Sequence, residues 1–434
     1  MKSVPFASLV GLVAVGWGAA CTESGGPSSA GPEAGSGGAG QGGVAGNDAR
    51  AGSGGASGGA AGRGLAGQGG AAAGAGGAAG SGSAEPAGRP FVYVGTFDDA
   101  IYVFSLDVES GALTPVGGPV SANPSPAFLA FAPNGRLLVA VNEADDVGGF
   151  GAGAVSSFRI DAATGALSFV NRVSSTGAGP AHVAVDQTGK FALVANYNGG
   201  NIAVLPLAAN GTLSNAVDGA DHGAGAQSHE VVLDPSNRFL LVPNKGRSDV
   251  SQYLFDADTG QITPNEPAAL ALAQGAGSRH LAFHPSGAFA YVINELDDTV
   301  SALAFDAQRG TLSALQTLST LPDGVSGASN TGAEIQVSAS GRFVYGSNRG
   351  HDSIVIYAVD AATGRLSLLG HQPTGGTTPR SFQLEPSGRL LLVANQGSNE
   401  VVTFRVDAQT GLLGELLSTT VPSPSFVGVL YLPE

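Results

Sequence analysis

The heptapeptide Asp306-Ala-Gln-Arg-Gly310-Thr-Leu312 is one of seven related phrases in this 434-residue chain. Each has a residue that is usually Asp, three residues, then Gly-x-Leu or Gly-x-Ile. The glycines are Gly111, Gly165, Gly211, Gly260, Gly310, Gly364 and Gly411, and successive copies lie 46 to 54 residues apart. A period near fifty filled with strand-like runs is the mark of a propeller, one blade per copy. Within one period, Ser278–His284 is extended, Pro285-Ser-Gly287 turns, and Ala288–Ile293 reads as a buried strand. Thr299–Phe305 alternates, the Asp306–Gly310 phrase turns, and Thr311–Thr317 forms an outer strand. Calling these strands A to D, the spacing predicts an all-β, seven-bladed β-propeller of four-stranded antiparallel blades.

The ends of the repeat region predict how the ring closes. The first copy starts at Phe91-Val-Tyr-Val94, which aligns with strand B, so its strand A is missing. The last stretch, Ser425–Tyr431, reads as a strand A without successors. We therefore expect the C-terminal strand to complete the N-terminal blade, leaving no unpaired inner gap.

Three regions follow, at residues 1–20, 21–89 and 90–434. Met1-Lys-Ser3 and an apolar stretch ending in Gly18-Ala-Ala20 describe an export signal peptide. The next residue, Cys21, is the only cysteine in the chain. Its position marks it as a lipid-bearing residue of a bacterial lipoprotein, the plainer alternative being an ordinary secretory signal. Thr22 follows where aspartate would signal inner-membrane retention, which points to the outer membrane. Residues 22–89 are largely Gly, Ala and Ser, too poor in apolar surface to offset ordering entropy, and are expected to form a disordered tether. Gly35–Gly40 and Gly55–Gly59 imitate a dinucleotide fingerprint and a nucleophile elbow. Neither has the flanking strand and helix those motifs need. The net charge of −15 resides in the repeat region, which argues against a nucleic-acid partner. Membrane contact is expected only through the lipid, and the body is expected to be monomeric.

Strand A lines a propeller channel and strand B returns beside it, so the start of A and the end of B share one rim. The B strands end in Asn142-Glu143, Asn196-Tyr197, Asn244-Lys245, Asn294-Glu295, Asn348-Arg349 and Asn395-Gln396. A repeated asparagine is best read as a turn residue bonding nearby backbone, with a substrate contact as the alternative at Asn196 and Asn348. The residue after it varies and carries site-specific information. The A strands start with Phe128, His182, His229, Arg279-His280, Glu334 and Arg380-Ser381. His280 and Asn294 lie symmetrically about Gly287, Glu334 and Asn348 about Gly341, and His182 and Asn196 about Gly189, so each pair is expected to face across strands. Any one of these side chains could simply stitch neighbouring blades, but stitching residues should recur in every blade, and these change identity. His284 falls at the opposite end of strand A; His222, His351 and His371 read as solvated loop residues. Metal binding by His182, His229 and His280 with Glu295 or Glu334 lacks any close-spaced ligand pair, and no metal or other cofactor is expected.

Tyr93-Val-Gly-Thr96, Ile101-Tyr-Val-Phe104, Asn123-Pro-Ser125, Ala195-Asn-Tyr197, Ser278-Arg-His280, Asn294-Glu295, Ser347-Asn-Arg-Gly350 and Pro379-Arg380 together resemble the propeller-type 6-phosphogluconolactonases over residues 91–434. That family includes muconate cyclases, which make or open a lactone ring without a metal. The resemblance implies metal-independent hydrolysis of a sugar or muconate-type lactone at the channel mouth. It maps the family's functional His, Arg and Glu onto His229, Arg279 and Glu295. His182, His280, Glu334, Arg349, Arg380, Asn196 and Asn348 would then contact substrate. Arg279 with Arg349 or Arg380 would hold an anionic group, His229 or Glu295 would activate water, and His280 or an asparagine amide would meet the oxyanion. The alternatives are a non-catalytic cell-surface propeller binding a carbohydrate or protein, or a scaffold without a small-molecule site.

Overall fold

The computed structural model describes residues 86–433; the signal, Cys21 and the tether up to residue 85 lie outside the described residues. These residues form seven antiparallel sheets and no helix. Blade 5 shows the pattern: A is Ser278–Phe283, B is Phe289–Asn294, C is Thr299–Asp306 and D is Thr311–Ser319. In blade 1 the outer strand is broken in two, Leu113–Pro115 and Val120–Ser121, both paired to Ala100–Leu106. Ring closure takes the expected form. The C-terminal strand Pro424–Leu432 pairs with Arg89–Thr96 in a register running from Arg89 opposite Leu432 to Thr96 opposite Pro424.

Each sheet is sandwiched between two others, so both faces of the inner strands must be apolar. The B strands Leu390–Asn395 and Phe239–Asn244 are accordingly buried at every position. The core is divided among the blade interfaces. One layer joins Tyr93 of blade 1 to Leu138 and Phe158 of blade 2, another joins Tyr291 of blade 5 to Tyr345's neighbours Val344 and Tyr357 of blade 6.

The recurring Asp-x-x-x-Gly phrase has two jobs. In six copies the Asp carboxylate accepts amides two and three residues on, as Asp161 does from Ala163 at 3.0 Å and Thr164 at 2.8 Å. This is the Asx-type bonding that shapes a tight turn. In five of these copies the glycine, at positive φ, also meets a phenylalanine ring from the preceding blade. A Cβ on Gly310 would lie 2.0 Å from the Phe239 ring, and one on Gly165 would lie 2.5 Å from Phe91. Tyrosines add hydroxyl bonds to the same turns: Tyr93 to Gly165 O at 2.9 Å and Tyr345 to Gly411 O at 2.8 Å. The motif that reveals the period is thus the clasp between blades. Gly310→Ala is expected to cost about 3 kcal/mol, combining left-handed strain with a clash against packed ring atoms. Gly287→Ala, at φ 70° with open space around it, is expected to cost only about 1 kcal/mol. Denaturant unfolding of the two variants measures the difference; equal losses would reject the clasp.

One sequence expectation needs correcting. His280 does not face Asn294: Ser278 does, and His280 faces Ile293, with a bulge between. The same shift puts Pro180 opposite Asn196, Gly332 opposite Asn348 and Pro379 opposite Asn395. Two offsets produce this. The hairpin is centred between Ser286 and Gly287, so the regular ladder already pairs Phe283 with Ala290 and His280 with Ile293. An extra residue then enters the start of strand A and puts Ser278 rather than Arg279 opposite Asn294. The minor histidines also differ from expectation. His371 lies on a strand and its Nε2 is 3.0 Å from Thr320 O. His222 is half-buried between Ser228 and Tyr253, at 2.7 and 2.6 Å.

Candidate active site at the channel mouth

The bulges decide what the rim displays. In blade 5 the extra residue is Arg279, in blade 7 it is Arg380, and in blade 6 Ala333 and Glu334 lie between the paired residues Gly332 and Ile335. A bulge re-aims a side chain that regular pleating would place against a neighbouring blade. Arg279 and Glu334 therefore reach one narrow cleft, together with His229, His280, Arg380, Ser381 and Glu143. These residues come from blades 2, 4, 5, 6 and 7. The free space among them is about 10 Å³, about one water. Phe128 also lines the cleft, its ring 4.1 Å from His182, 4.6 Å from Phe426 and 6.0 Å from His280. A larger groove of about 620 Å³ beside Asn201 and Asp218 holds two aspartates and no basic or imidazole group, so nothing in it converges for chemistry.

Glu295 is the electrostatic hub. Its carboxylate lies 2.8 Å from Lys245 Nζ, 3.0 Å from Arg279 Nε and 3.3 Å from Arg349 Nη2. These cations come from three consecutive blades. Burial alone would raise the carboxyl's pKa, but Arg279, Arg349 and Lys245 outweigh it and bring it down to about 2. Burial and the neighbouring Arg349 pull Arg279 down to about 9, which still leaves it a cation at neutral pH. Arg279 also donates to Ala333 O and Arg349 to Gly332 O, pinning both guanidinium groups to blade 6. Arg380 is held more loosely, 3.8 Å from Glu143 and over the Phe97 ring at 4.9 Å.

The three inner histidines are buried. His229 and His280 stand with ring centroids 5.1 Å apart, and His182 lies 5.7 Å from His280. Burial first, and then neighbouring charge such as Arg279, holds all three well below the ordinary histidine range. They are neutral at neutral pH. His229 Nδ1 and His280 Nε2 are buried without a hydrogen-bond partner, which is costly unless water or a ligand meets them. Lys245 donates to Tyr197 Oη at 2.8 Å, and the Tyr197 ring packs edge-on to His229 at 5.5 Å.

His229, Arg279, His280, Glu334 and Arg380 thus line the cleft, and Glu295 and Arg349 adjoin it through Arg279. His182 lies deeper, 3.6 Å from Glu230. The two asparagines spend their amides on backbone, Asn196 on Ser175 O at 2.9 Å and Asn348 on Thr320 O at 2.8 Å. Sequence reasoning missed Glu230, whose carboxylate accepts the Leu281 amide at 2.5 Å and whose pKa burial pushes well up. Its adjacency to His229 was the available signal. Glu143, placed on the rim by its position after Asn142 but given no role, is also a cleft residue. Among the described residues no group of three His, Cys, Asp or Glu side chains has metal-site geometry.

The family model for the lactonases with a seven-bladed β-propeller matches residues 91–429. The chain belongs to this lactonase family. A 6-phosphogluconolactonase of Bacillus subtilis strain 168 is 34% identical over 303 residues, covering 67% of this chain and 83% of the relative. One from Formosa agariphila is 33% identical over 313 residues, covering 67% and 85%. Among solved structures, the periplasmic gluconolactonase of Pseudomonas aeruginosa superposes with a TM-score of 0.73 at 32% identity, covering 80% of this chain and all of that one. The lactonase fold therefore spans the described body.

Proposed function

We propose that this lactonase-family chain hydrolyses the lactone of a sugar acid at the channel mouth. The observation that carries the reading is the meeting of buried Arg279, half-buried Arg380 and two histidines with unpartnered ring nitrogens at one cleft. The cleft admits a water but not a lactone ring, so the substrate lies across its mouth with its carbonyl over the water. Arg279 and Arg380 meet its anionic or carbonyl oxygens, with Arg349 and Lys245 supporting the field. Glu295 is not the base: with three cations on it, its carboxylate holds a proton too weakly. A neutral imidazole takes that role, and His229 and His280 both offer one.

The body carries export features ahead of it, and we propose an exported protein, lipidated on Cys21 and anchored to the cell envelope at the outer membrane. The periplasmic location named for the Pseudomonas relative supports export. An exported enzyme meets unphosphorylated lactones, so glucono-δ-lactone is the first substrate to assay, with muconolactone beside it. His229→Ala and Arg279→Ala are each expected to lower kcat/KM by about 100-fold. Steady-state rates of base-neutralised hydrolysis give the comparison, and identical rates in wild type and both variants would remove these residues from the chemistry.

A further inference from the structure

We propose that Glu334 is a positioning residue that fixes the tautomer of His280, making His280 Nε2 the general base of the reaction. This inference rests on the lactone-hydrolysis reading and assigns the proton within it. Glu334 Oε1 lies 3.2 Å from His280 Nδ1 and also accepts the Ile335 amide at 3.1 Å. An ionised carboxylate has no proton to donate, so with Glu334 ionised the proton of the second bond belongs to the ring. Nδ1 therefore carries hydrogen, and the neutral imidazole keeps its lone pair on Nε2. That nitrogen is buried and unpartnered, on a residue that lines the cleft.

The arrangement is built by tertiary contact. The blade 6 bulge places Glu334 off the regular ladder, and its own amide is held by Ser347 Oγ at 3.0 Å. From there the carboxyl crosses the blade boundary to His280. Burial, opposed by Arg279 and the Ile335 amide, raises its pKa to about 7. With the added proton on Oε2, Oε1, which already receives the Ile335 amide, stays the acceptor of the His280 bond and the tautomer survives. His229 is a different case. Its ring packs against Tyr197 and His280, and no carboxylate bonds it among the described residues. It orients the water rather than taking its proton.

In the first step, a water O–H bond breaks and its proton moves to His280 Nε2. The water oxygen bonds to the lactone carbonyl carbon, and the carbonyl electron pair shifts onto its oxygen beside Arg279 or Arg380. In the second, that pair re-forms the carbonyl, the ring C–O bond breaks, and the departing ring oxygen takes the proton back from Nε2. The sum is lactone plus water giving hydroxy acid. His280 is thereby an acceptor in the resting site, so the oxyanion contact falls to an arginine.

The test uses the full chain labelled with ¹⁵N-histidine, with His280→Asn assigning the resonance. Long-range ¹⁵N–¹H spectra are expected to show His280 protonated on Nδ1 in wild type and a mixture of tautomers in Glu334→Ala. With glucono-δ-lactone, Glu334→Ala should lose about 100-fold in kcat with KM changed less than about threefold. Glu334→Gln keeps an acceptor oxygen and should recover about tenfold of that loss. An active wild type with His280 protonated on Nε2 overturns this inference alone, as does a Glu334→Gln protein no better than Glu334→Ala. Wild-type protein without lactone turnover overturns the general-base role together with the proposed function, while leaving the tautomer measurement intact.

Discussion

Replacing Glu295 with glutamine is expected to destabilise the propeller by about 3 kcal/mol at pH 7 and to lower kcat/KM by at least about 100-fold. The stability figure follows from the carboxylate's pKa of about 2 in the folded state against an unfolded value of about 4.3. A depressed acid stabilises the fold fully above its unfolded pKa, and that contribution disappears as pH falls through the folded value. The gap between wild type and Glu295→Gln should therefore be widest above about pH 5 and close towards about pH 2. The activity loss has the same origin, since Lys245, Arg279 and Arg349 would repel one another once their shared counter-charge is gone. Chemical denaturation across pH, combined with lactone assays, reads both effects. A variant as stable and as active as wild type at pH 7 would show that the hub holds nothing together.

The larger effect on folding is expected from removing residues 424–434. This deletes the whole strand A of blade 1, including buried Phe426, Val427, Val429, Leu430 and Leu432. At about 2 kcal/mol per buried apolar side chain the loss is about 10 kcal/mol, comparable with the net stability of a typical domain. It also leaves Arg89–Thr96 with an unpaired inner edge and opens two interblade cores. The truncated chain should show no cooperative unfolding transition. A permutant tests the cause. Because Leu432 faces Arg89, moving residues 424–434 ahead of Arg89 through a short turn should restore a cooperative transition. A truncated protein that unfolds like wild type would reject the closure argument.

These expectations differ in how directly they could be read from the chain. The blade count, the strand order and the closure were legible because they depend on local patterns repeated seven times. Asp at the turn, glycine at positive φ and continuous apolar B strands each answer a requirement met within one blade or between a blade and its neighbour. Much of the rim was legible as a set: Glu143 after the repeated asparagine, and Phe128, His229, Arg279, His280, Glu334 and Arg380 opening strand A, line one cleft. Their partnerships were not. Counting symmetrically about Gly287 paired His280 with Asn294, whereas the hairpin is centred half a residue earlier, which pairs His280 with Ile293, and the bulge at Arg279 then sets Ser278 opposite Asn294. Glu295 read equally well as a base until Lys245 and Arg349 were found beside it.

The amino-acid sequence by itself determined the seven-bladed ring and which side chains crowd its mouth, since periodicity and turn chemistry are properties of neighbouring residues along the chain. Only the tertiary structure decided which carboxylate is neutralised, which imidazole nitrogen is bare and which asparagine is spent on backbone. Those outcomes depend on distances between blades some fifty residues apart and on bulges that alternate patterning does not record.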